Sequence, residues 1–129
     1  MDRVVDHFQH PRNHGLLADC DVDYELVNEG CGDRVRLQAR LGDADKLVQI
    51  GFVGNGCALS MASASILTTI FEGRSLTDVV RLTEPEVLNA LEIAISPRRV
   101  DCALLPYRAL RLGLVRYAHS RRIYSYKQS

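Results

Sequence analysis

The chain has 129 residues, which is enough for one hydrophobic core but not for two, so we expect a single domain over residues 1–129. Its 16 basic and 16 acidic side chains cancel, which argues against a nucleic-acid-binding protein, because binding phosphates requires a basic surplus. No apolar run approaches the ~20 residues of a membrane span. The N-terminus also lacks an apolar signal region, so we expect a cytoplasmic protein that does not engage membranes.

The N-terminal part of the chain predicts a short helix and a first strand. Residues 2–9 form an amphipathic segment that ends before Pro11, because the residue preceding a proline is disfavoured in a helix. His7, His10 and His14 follow closely on one another, but this segment does not supply a closed ligand set, so we interpret them as surface histidines rather than a metal site. Residues 22–26 alternate apolar and polar side chains, which indicates a strand.

Two further strands are predicted from alternation. Residues 34–41, RVRLQARL, alternate without a break, which is typical of a strand with one face on the core and the other in water. The arginines on the polar face are consistent with an anion-binding surface or a solvated strand face, and we favour the second. Residues 42–45 are typical of a turn. Residues 46–53 then return as a strand, with Val48, Ile50 and Phe52 expected on the buried face.

The second half of the chain predicts helices. Apolar residues recur at helical spacing over 59–71, and a short helix is expected at 75–82 with Ser75 as its N-cap. Thr83 and Glu86 form the pattern of a capping box, which opens a helix ending near Ile93.

The last predicted helix runs over 103–121. Pro106 is expected in its first turn, because an interior proline costs ~3 kcal/mol or more. The tail from about residue 122 is expected to be flexible. Together the elements predict an α+β fold: a three-stranded antiparallel sheet with the helices packed on one side and the N-terminal helix first.

Four cysteines in a reducing cytosol are more typical of metal binding or catalysis than of disulfides. Cys57 follows Gly54 and Gly56 in the segment GNGC, and we expect these glycines to adopt backbone angles that other residues avoid. A thiol at a helix start meets unpaired amides and the positive end of the helix dipole, which favour the thiolate. Because free cysteines are commonly buried, Cys57 fits a reactive thiol and an ordinary core residue equally well on this evidence alone.

Cys31, Cys57 and Cys102 all fall at the ends of predicted elements, where loops can bring side chains together at one tip of the fold. Asp33 lies two residues after Cys31 and adds a carboxylate. Three thiolates and one harder oxygen ligand suit a metal site that can open. Without a C-x-x-C pair, spacing alone leaves metal binding undecided. Cys20 has no such position, and we interpret it as structural.

The segments EGCGDRVRL, GNGCALSMASAS and VDCALLPYRAL, preceded by DHFQHPRNHG, carry a resemblance to a known family. In order and over residues 2–118 they resemble the U-type iron–sulfur scaffold family, which comprises the NifU N-terminal domain, IscU and SufU. The resemblance implies that Cys31, Asp33, Cys57 and Cys102 form an assembly site for a transient [2Fe–2S] cluster or a zinc ion. It also implies that a cysteine desulfurase supplies sulfur and that acceptor apoproteins receive the cluster.

Two positions depart from the family pattern. Asp101 stands where IscU-type members have a histidine and SufU-type members usually a lysine. Its carboxylate should favour a cation in the site, and it is a candidate alternative ligand or neighbour of the ligands. The chaperone-binding segment Leu-Pro-Pro-Val-Lys of IscU-type members is replaced by ISPRRV, so a dedicated chaperone is not expected.

The residues and the resemblance leave three functions open, of which the first is a scaffold for cluster assembly. The second is a zinc-dependent sulfurtransferase, with Cys57 or Cys102 as persulfide acceptor because each lies near a helix start. The third is a small structural zinc domain, so whether the chain is an enzyme stays open. A cysteine hydrolase is not expected because no motif pairs a histidine with a cysteine, and disulfide exchange is not expected because there is no C-x-x-C.

Overall fold

The computed structural model describes residues 2–128, and it describes side chains as far as residue 121. These residues form a three-stranded antiparallel sheet and five α-helices, which confirms the predicted α+β fold with its N-terminal helix first. The elements in chain order are α1 (Arg3–Gln9), β1 (Val22–Asn28), β2 (Asp33–Leu41), β3 (Leu47–Asn55), α2 (Ala58–Phe71), α3 (Leu76–Val80), α4 (Glu84–Leu91) and α5 (Val100–Gln128). None of the described helices is both long and apolar enough to cross a membrane.

The sheet has the order β1-β2-β3, and α2 and α5 pack against it. The predicted inward residues of β2, Val35, Leu37 and Ala39, are all buried. On the polar face, Arg36 donates two hydrogen bonds to Asp23 of β1, at 2.8 and 2.6 Å. Arg34 lies 3.8 Å from Glu25 in the same way. The arginines therefore pair across the strands, which supports the interpretation as a solvated strand face.

The buried face of β3 differs from the prediction at one end. Ile50 and Phe52 are buried as expected, but Val48 is exposed and Leu47 is buried instead. The β2–β3 register shifts here, because Arg40 pairs with Gln49 while its neighbour Leu41 pairs with Leu47. This irregularity leaves Val48 without a partner and reverses the alternation beyond it. The expectation that Val48 faces the core is therefore wrong.

The local signals for helix starts are confirmed. The Ser75 hydroxyl accepts a hydrogen bond from the Asp78 amide and caps α3. Thr83 and Glu86 form the predicted capping box at the start of α4. The end of α4 comes earlier than expected: the helix stops at Leu91, because Glu92 adopts the left-handed conformation with φ of 53°.

The longest helix, α5, begins at Val100 rather than near residue 103, directly after a 3-10 turn at Pro97–Arg99. Pro106 consequently lies inside the helix, so its predicted place in the first turn is wrong. The helix tolerates it because the carbonyl that proline deprives of a donor, that of Cys102, lies 3.0 Å from the Ser60 hydroxyl of α2. The helix extends to Gln128, beyond its predicted end at residue 121. The expectation of a flexible tail from residue 122 stays a prediction, because the side chains there lie outside the described residues.

Candidate metal centre

Three distant segments of the chain bring cysteines to one end of the molecule. Cys31 lies in the turn between β1 and β2, Cys57 lies between β3 and α2, and Cys102 lies in the first turn of α5. Asp33 is the first residue of β2. The sulfurs of Cys31 and Cys102 and a carboxylate oxygen of Asp33 all lie within 4.8 Å of one another. The predicted ligands from residues 31, 33 and 102 are thus together in space.

The β1–β2 turn gives its two side chains different environments. Gly32 separates them and has a φ of +78°, a conformation that favours glycine. Its amide donates a 2.7 Å hydrogen bond to the carbonyl of Asn28, which closes the turn. As a result the thiol of Cys31 is exposed, whereas Asp33 is buried with only 6% of its surface accessible. Cys31 is the most accessible of the three thiols of the site.

Cys57 is the N-cap of α2 and is tied to Asp33. Its sulfur accepts a hydrogen bond from the Ser60 amide at 3.5 Å, and its own amide donates to Asp33 Oδ1 at 3.1 Å. Its sulfur is not part of the close group formed by the Cys31 and Cys102 sulfurs and the Asp33 oxygen. Asp33 therefore connects the two parts of the predicted ligand set.

The glycines before Cys57 are required for space and not for unusual backbone angles. Neither has a positive φ, so that expectation is wrong. A side chain at Gly56 would place its Cβ 3.0 Å from the carboxyl carbon of Asp33. One at Gly54 would place its Cβ 2.6 Å from the backbone carbonyl of Arg34. The absent Cβ atoms let the β3–α2 connection lie directly against β2 and the Asp33 carboxylate.

Ser60 is a site residue that the sequence did not reveal. Its hydroxyl is fully buried and lies 2.7 Å from Asp33 Oδ2 and 3.0 Å from the carbonyl of Cys102. It therefore contacts the segments of two different predicted ligands. The only sequence signal is its position one helical turn after Cys57, in a helix with several other small polar residues.

The protonation preferences of the thiols differ. Burial raises the pKa of the Cys57 thiol, but hydrogen bonds from Ser60 and Arg99 outweigh burial and hold this pKa below its ordinary value. Burial also acts on Cys102, and there a hydrogen bond with Cys31 and the charge of Cys57 add to it and raise the pKa to about 12. Without a metal ion, Cys57 is the favoured thiolate and Cys102 keeps its proton.

Asp33 is ionised in spite of its burial. Burial favours the neutral carboxyl, but hydrogen bonds from Ser60, Cys57 and Cys31 outweigh this effect and lower the pKa of Asp33. A buried carboxylate with nearby thiols is a negatively charged donor set, which suits a cation.

The geometry of the two closest sulfurs fits a metal ion. Two thiolates bound to one zinc ion at about 2.3 Å with tetrahedral angles lie roughly 3.8 Å apart. The sulfurs of Cys31 and Cys102 are 3.9 Å apart. Thiolates also bind iron in iron–sulfur clusters, and a carboxylate is a harder ligand that such metals hold less firmly. The donor set therefore fits zinc or iron.

The remaining candidate residues lie elsewhere. The carboxylate of Asp101, the expected alternative ligand, accepts a 3.0 Å hydrogen bond from Arg108, which also binds Glu84 through two bonds of 2.7 and 3.0 Å. His7 is buried and lies 2.7 Å from the Ser65 hydroxyl, so the expectation that it is a surface histidine is wrong. His14 is exposed and packs edge-on against Phe52.

Comparison with known proteins adds a family context. The family model for the NifU-like N-terminal domain matches residues 1–123. The chain is 33% identical to the zinc-dependent sulfurtransferase SufU of Bacillus subtilis, over 88% of this chain and 87% of that protein. It is 31% identical to the iron–sulfur cluster assembly scaffold protein IscU of Azotobacter vinelandii, over 93% of this chain and 94% of that protein.

A solved structure supports the same relationship. A candidate iron–sulfur cluster assembly scaffold protein for the SUF system from Fervidobacterium islandicum AW-1 superposes with a TM-score of 0.72. The two chains are 26% identical, and the match covers 88% of this chain and 95% of that one.

Proposed function

Because the chain belongs to the family of NifU-like N-terminal domains, we propose that it is a scaffold for iron–sulfur cluster assembly. It builds a transient [2Fe–2S] cluster on Cys31, Asp33, Cys57 and Cys102 and passes it to apoproteins. The observation that carries this proposal is the convergence of the Cys31 and Cys102 sulfurs with the Asp33 carboxylate, within 4.8 Å of one another.

The mixed donor set explains how such a cluster is both held and released. Thiolates form the stronger bonds to iron, and the carboxylate of Asp33 forms the weaker and more easily exchanged one. Asp33 is therefore the position at which a ligand from an acceptor protein enters. The exposure of Cys31 leaves one edge of the site accessible to such an acceptor.

The partners follow from the same role. The sulfur of the cluster comes from a cysteine desulfurase, which presents it as a persulfide, and the finished cluster passes to acceptor apoproteins. We also propose a cytoplasmic location, because a reducing compartment would keep the cysteines of the site free to bind metal.

A zinc-dependent sulfurtransferase is the second candidate function. It is favoured by the 33% identity to the Bacillus subtilis protein of that name and by the 3.9 Å spacing of the Cys31 and Cys102 sulfurs. In this role zinc holds the site closed, and one thiolate leaves it to accept persulfide sulfur. Of the expected acceptors Cys57 and Cys102, the lowered pKa favours Cys57, while exposure favours Cys31 over both.

The two functions are separated by Asp33→Ala, with Asp101→Ala as the matched control. Protein purified without added metal is incubated anaerobically with iron, cysteine and a desulfurase, and iron–sulfur absorption is followed over time. For a scaffold we expect the wild type to develop this absorption and Asp33→Ala to keep it several-fold longer, because the exchangeable ligand is lost. Asp101→Ala should behave as wild type, since Asp101 pairs with Arg108.

Other outcomes point elsewhere. Stoichiometric zinc, no cluster absorption and strong stimulation of the desulfurase would favour the sulfurtransferase. Firm zinc binding without sulfur transfer or cluster formation would contradict both functions and leave a structural zinc domain.

A further inference from the structure

Pro106 leaves one backbone carbonyl of α5 without its regular helical donor. The nitrogen of proline carries no hydrogen, so the carbonyl of Cys102, four residues earlier, cannot accept the usual bond of an α-helix. A helix carbonyl that has lost its regular partner needs another hydrogen-bond donor. The buried hydroxyl of Ser60 stands 3.0 Å away and is placed to supply it.

The same hydroxyl also faces the carboxylate of Asp33. Ser60 Oγ lies 2.7 Å from Asp33 Oδ2. A serine hydroxyl has one hydrogen, so it donates one full hydrogen bond at a time. Asp33 and the Cys102 carbonyl therefore compete for one hydrogen, together with the more distant Cys57 sulfur at 3.5 Å, which also accepts from the Ser60 amide.

Ser63 shows that this competition is specific to Ser60. Its hydroxyl donates to the next carbonyl of α5, that of Ala103, at 2.6 Å, and it is equally buried. The residue four positions after Ala103 is Tyr107, whose amide has a hydrogen. The bond from Ser63 thus adds to a regular helical bond, whereas the bond from Ser60 replaces a missing one.

We propose that Ser60 couples the state of the Asp33 carboxylate to the first turn of α5, which carries Cys102; the coupling rests on the proposed role of Asp33 as a metal ligand. In the metal-free protein the charged carboxylate is the stronger acceptor and holds the hydroxyl hydrogen. When a metal ion engages the carboxylate, the hydroxyl rotates about its C–O bond and donates to the Cys102 carbonyl. Ser60 is then a positioning residue that fixes the turn of Cys102 once Asp33 is bound to metal.

The coupling depends on Pro106, which provides the test. In Pro106→Ala the new amide can donate to the Cys102 carbonyl at all times, so the turn no longer needs Ser60. The experiment compares wild type, Ser60→Ala, Pro106→Ala and the double variant, each with and without Zn²⁺. Ser63→Ala in both backgrounds is the matched control. Hydrogen exchange of the amides of Leu104, Leu105 and Tyr107 reports the stability of the turn.

In wild type, Zn²⁺ is expected to slow exchange of these amides. Ser60→Ala should reduce this slowing roughly threefold to tenfold, the range expected for one hydrogen bond. In the Pro106→Ala background, Ser60→Ala should not change the slowing of exchange by Zn²⁺. Ser63→Ala should have the same effect on this slowing in both backgrounds. The absorption of the Co²⁺-loaded variants should match that of wild type, because Ser60 is not a ligand.

Equal effects of Ser60→Ala in the two backgrounds would overturn the coupling while leaving the metal site intact. If wild type failed to bind Zn²⁺ in competition with a chelator, the metal site and the coupling would both be overturned. If Ser60→Ala does not fold, the comparison of wild type with Pro106→Ala provides the test. The coupling predicts that Zn²⁺ slows exchange less in Pro106→Ala, and an equal slowing would contradict it.

Discussion

At the scale of single residues, the three thiols of the site differ in how readily they lose a proton. Hydrogen bonds from Ser60 and Arg99 outweigh burial and lower the pKa of Cys57, whereas burial, together with the nearby Cys31 and Cys57, raises the pKa of Cys102 to about 12. The two thiols are exposed to a similar, intermediate degree. Their reactivity in the metal-free protein should therefore follow protonation rather than access.

Alkylation tests this difference. At pH 8 a thiol with a pKa near 12 is a thiolate in roughly one molecule in ten thousand, and only the thiolate reacts. We expect iodoacetamide to modify Cys57 at least tenfold faster than Cys102 in metal-free protein, as measured by mass spectrometry of peptides. In the unfolded protein the two rates should converge. Equal rates in the folded protein would contradict the assigned environments.

Residue-level sequence patterns predicted the candidate ligands but not the residues that contact them. Cys31, Asp33 and Cys102 stand in recognisable motifs, and the structure brings them together. The sequence did not predict Ser60 and Arg99, because their contacts depend on how α2 and the turn before α5 pack. Nothing in the local sequence distinguishes them from the other serines and arginines of the chain.

At the scale of elements, α5 packs closely on β1 through Gly113. A Cβ at this position would lie 2.7 Å from Val22 Cγ1 and 3.1 Å from Tyr24 Cβ. Val22 is a buried β-branched residue, and the contact with Tyr24 would fall on its Cβ, the first atom of the side chain. Rotation of these side chains therefore cannot relieve the contacts unless the strand moves. Gly113 sets the distance between helix and sheet.

Gly113→Ala is therefore expected to destabilise the protein. In an exposed helix the change gains about 1 kcal/mol of helix propensity, but overpacking costs about 1–3 kcal/mol. We expect a net loss of about 1 kcal/mol in the free energy of unfolding, measured by urea denaturation of the metal-free protein. Ser120→Ala, at an exposed position of the same helix, should be neutral or slightly stabilising. A stabilised Gly113→Ala variant would show that the helix–strand contact is looser.

Elements were predictable where their signals are local. The capping box of α4 and the N-cap of α3 involve residues three apart, and both are confirmed. The exposed Val48 depends on pairing with β2, and the interior Pro106 depends on a hydroxyl from α2. Such features come from tertiary partners, so alternation and propensity alone predict them incorrectly.

At the scale of the whole molecule, a metal ion held by the candidate ligands Cys31, Asp33 and Cys102 would connect the β1–β2 turn, β2 and α5. An ion that binds only the folded state stabilises it by about 2.7 kcal/mol when the free ion is at 100 times its dissociation constant. We expect the melting temperature to rise with free zinc in chelator-buffered solutions. Cys102→Ser should lose most of this rise.

The control for this prediction is Cys20→Ser, which removes a cysteine that lies outside the group of candidate ligands. It should retain the full zinc-dependent rise in melting temperature. A melting temperature that does not respond to zinc in the wild type, or a response that Cys20→Ser abolishes and Cys102→Ser keeps, would contradict the assigned site.

The separation of the ligands along the chain also has a consequence for the timing of biosynthesis. Cys31 and Cys102 touch in the folded protein but lie 71 residues apart in sequence. At about 5–20 residues per second, a ribosome adds Cys102 several seconds after Cys31. During that interval the nascent chain has only part of its donor set. The complete donor set therefore exists only after Cys102 has been added, late in the synthesis of the domain.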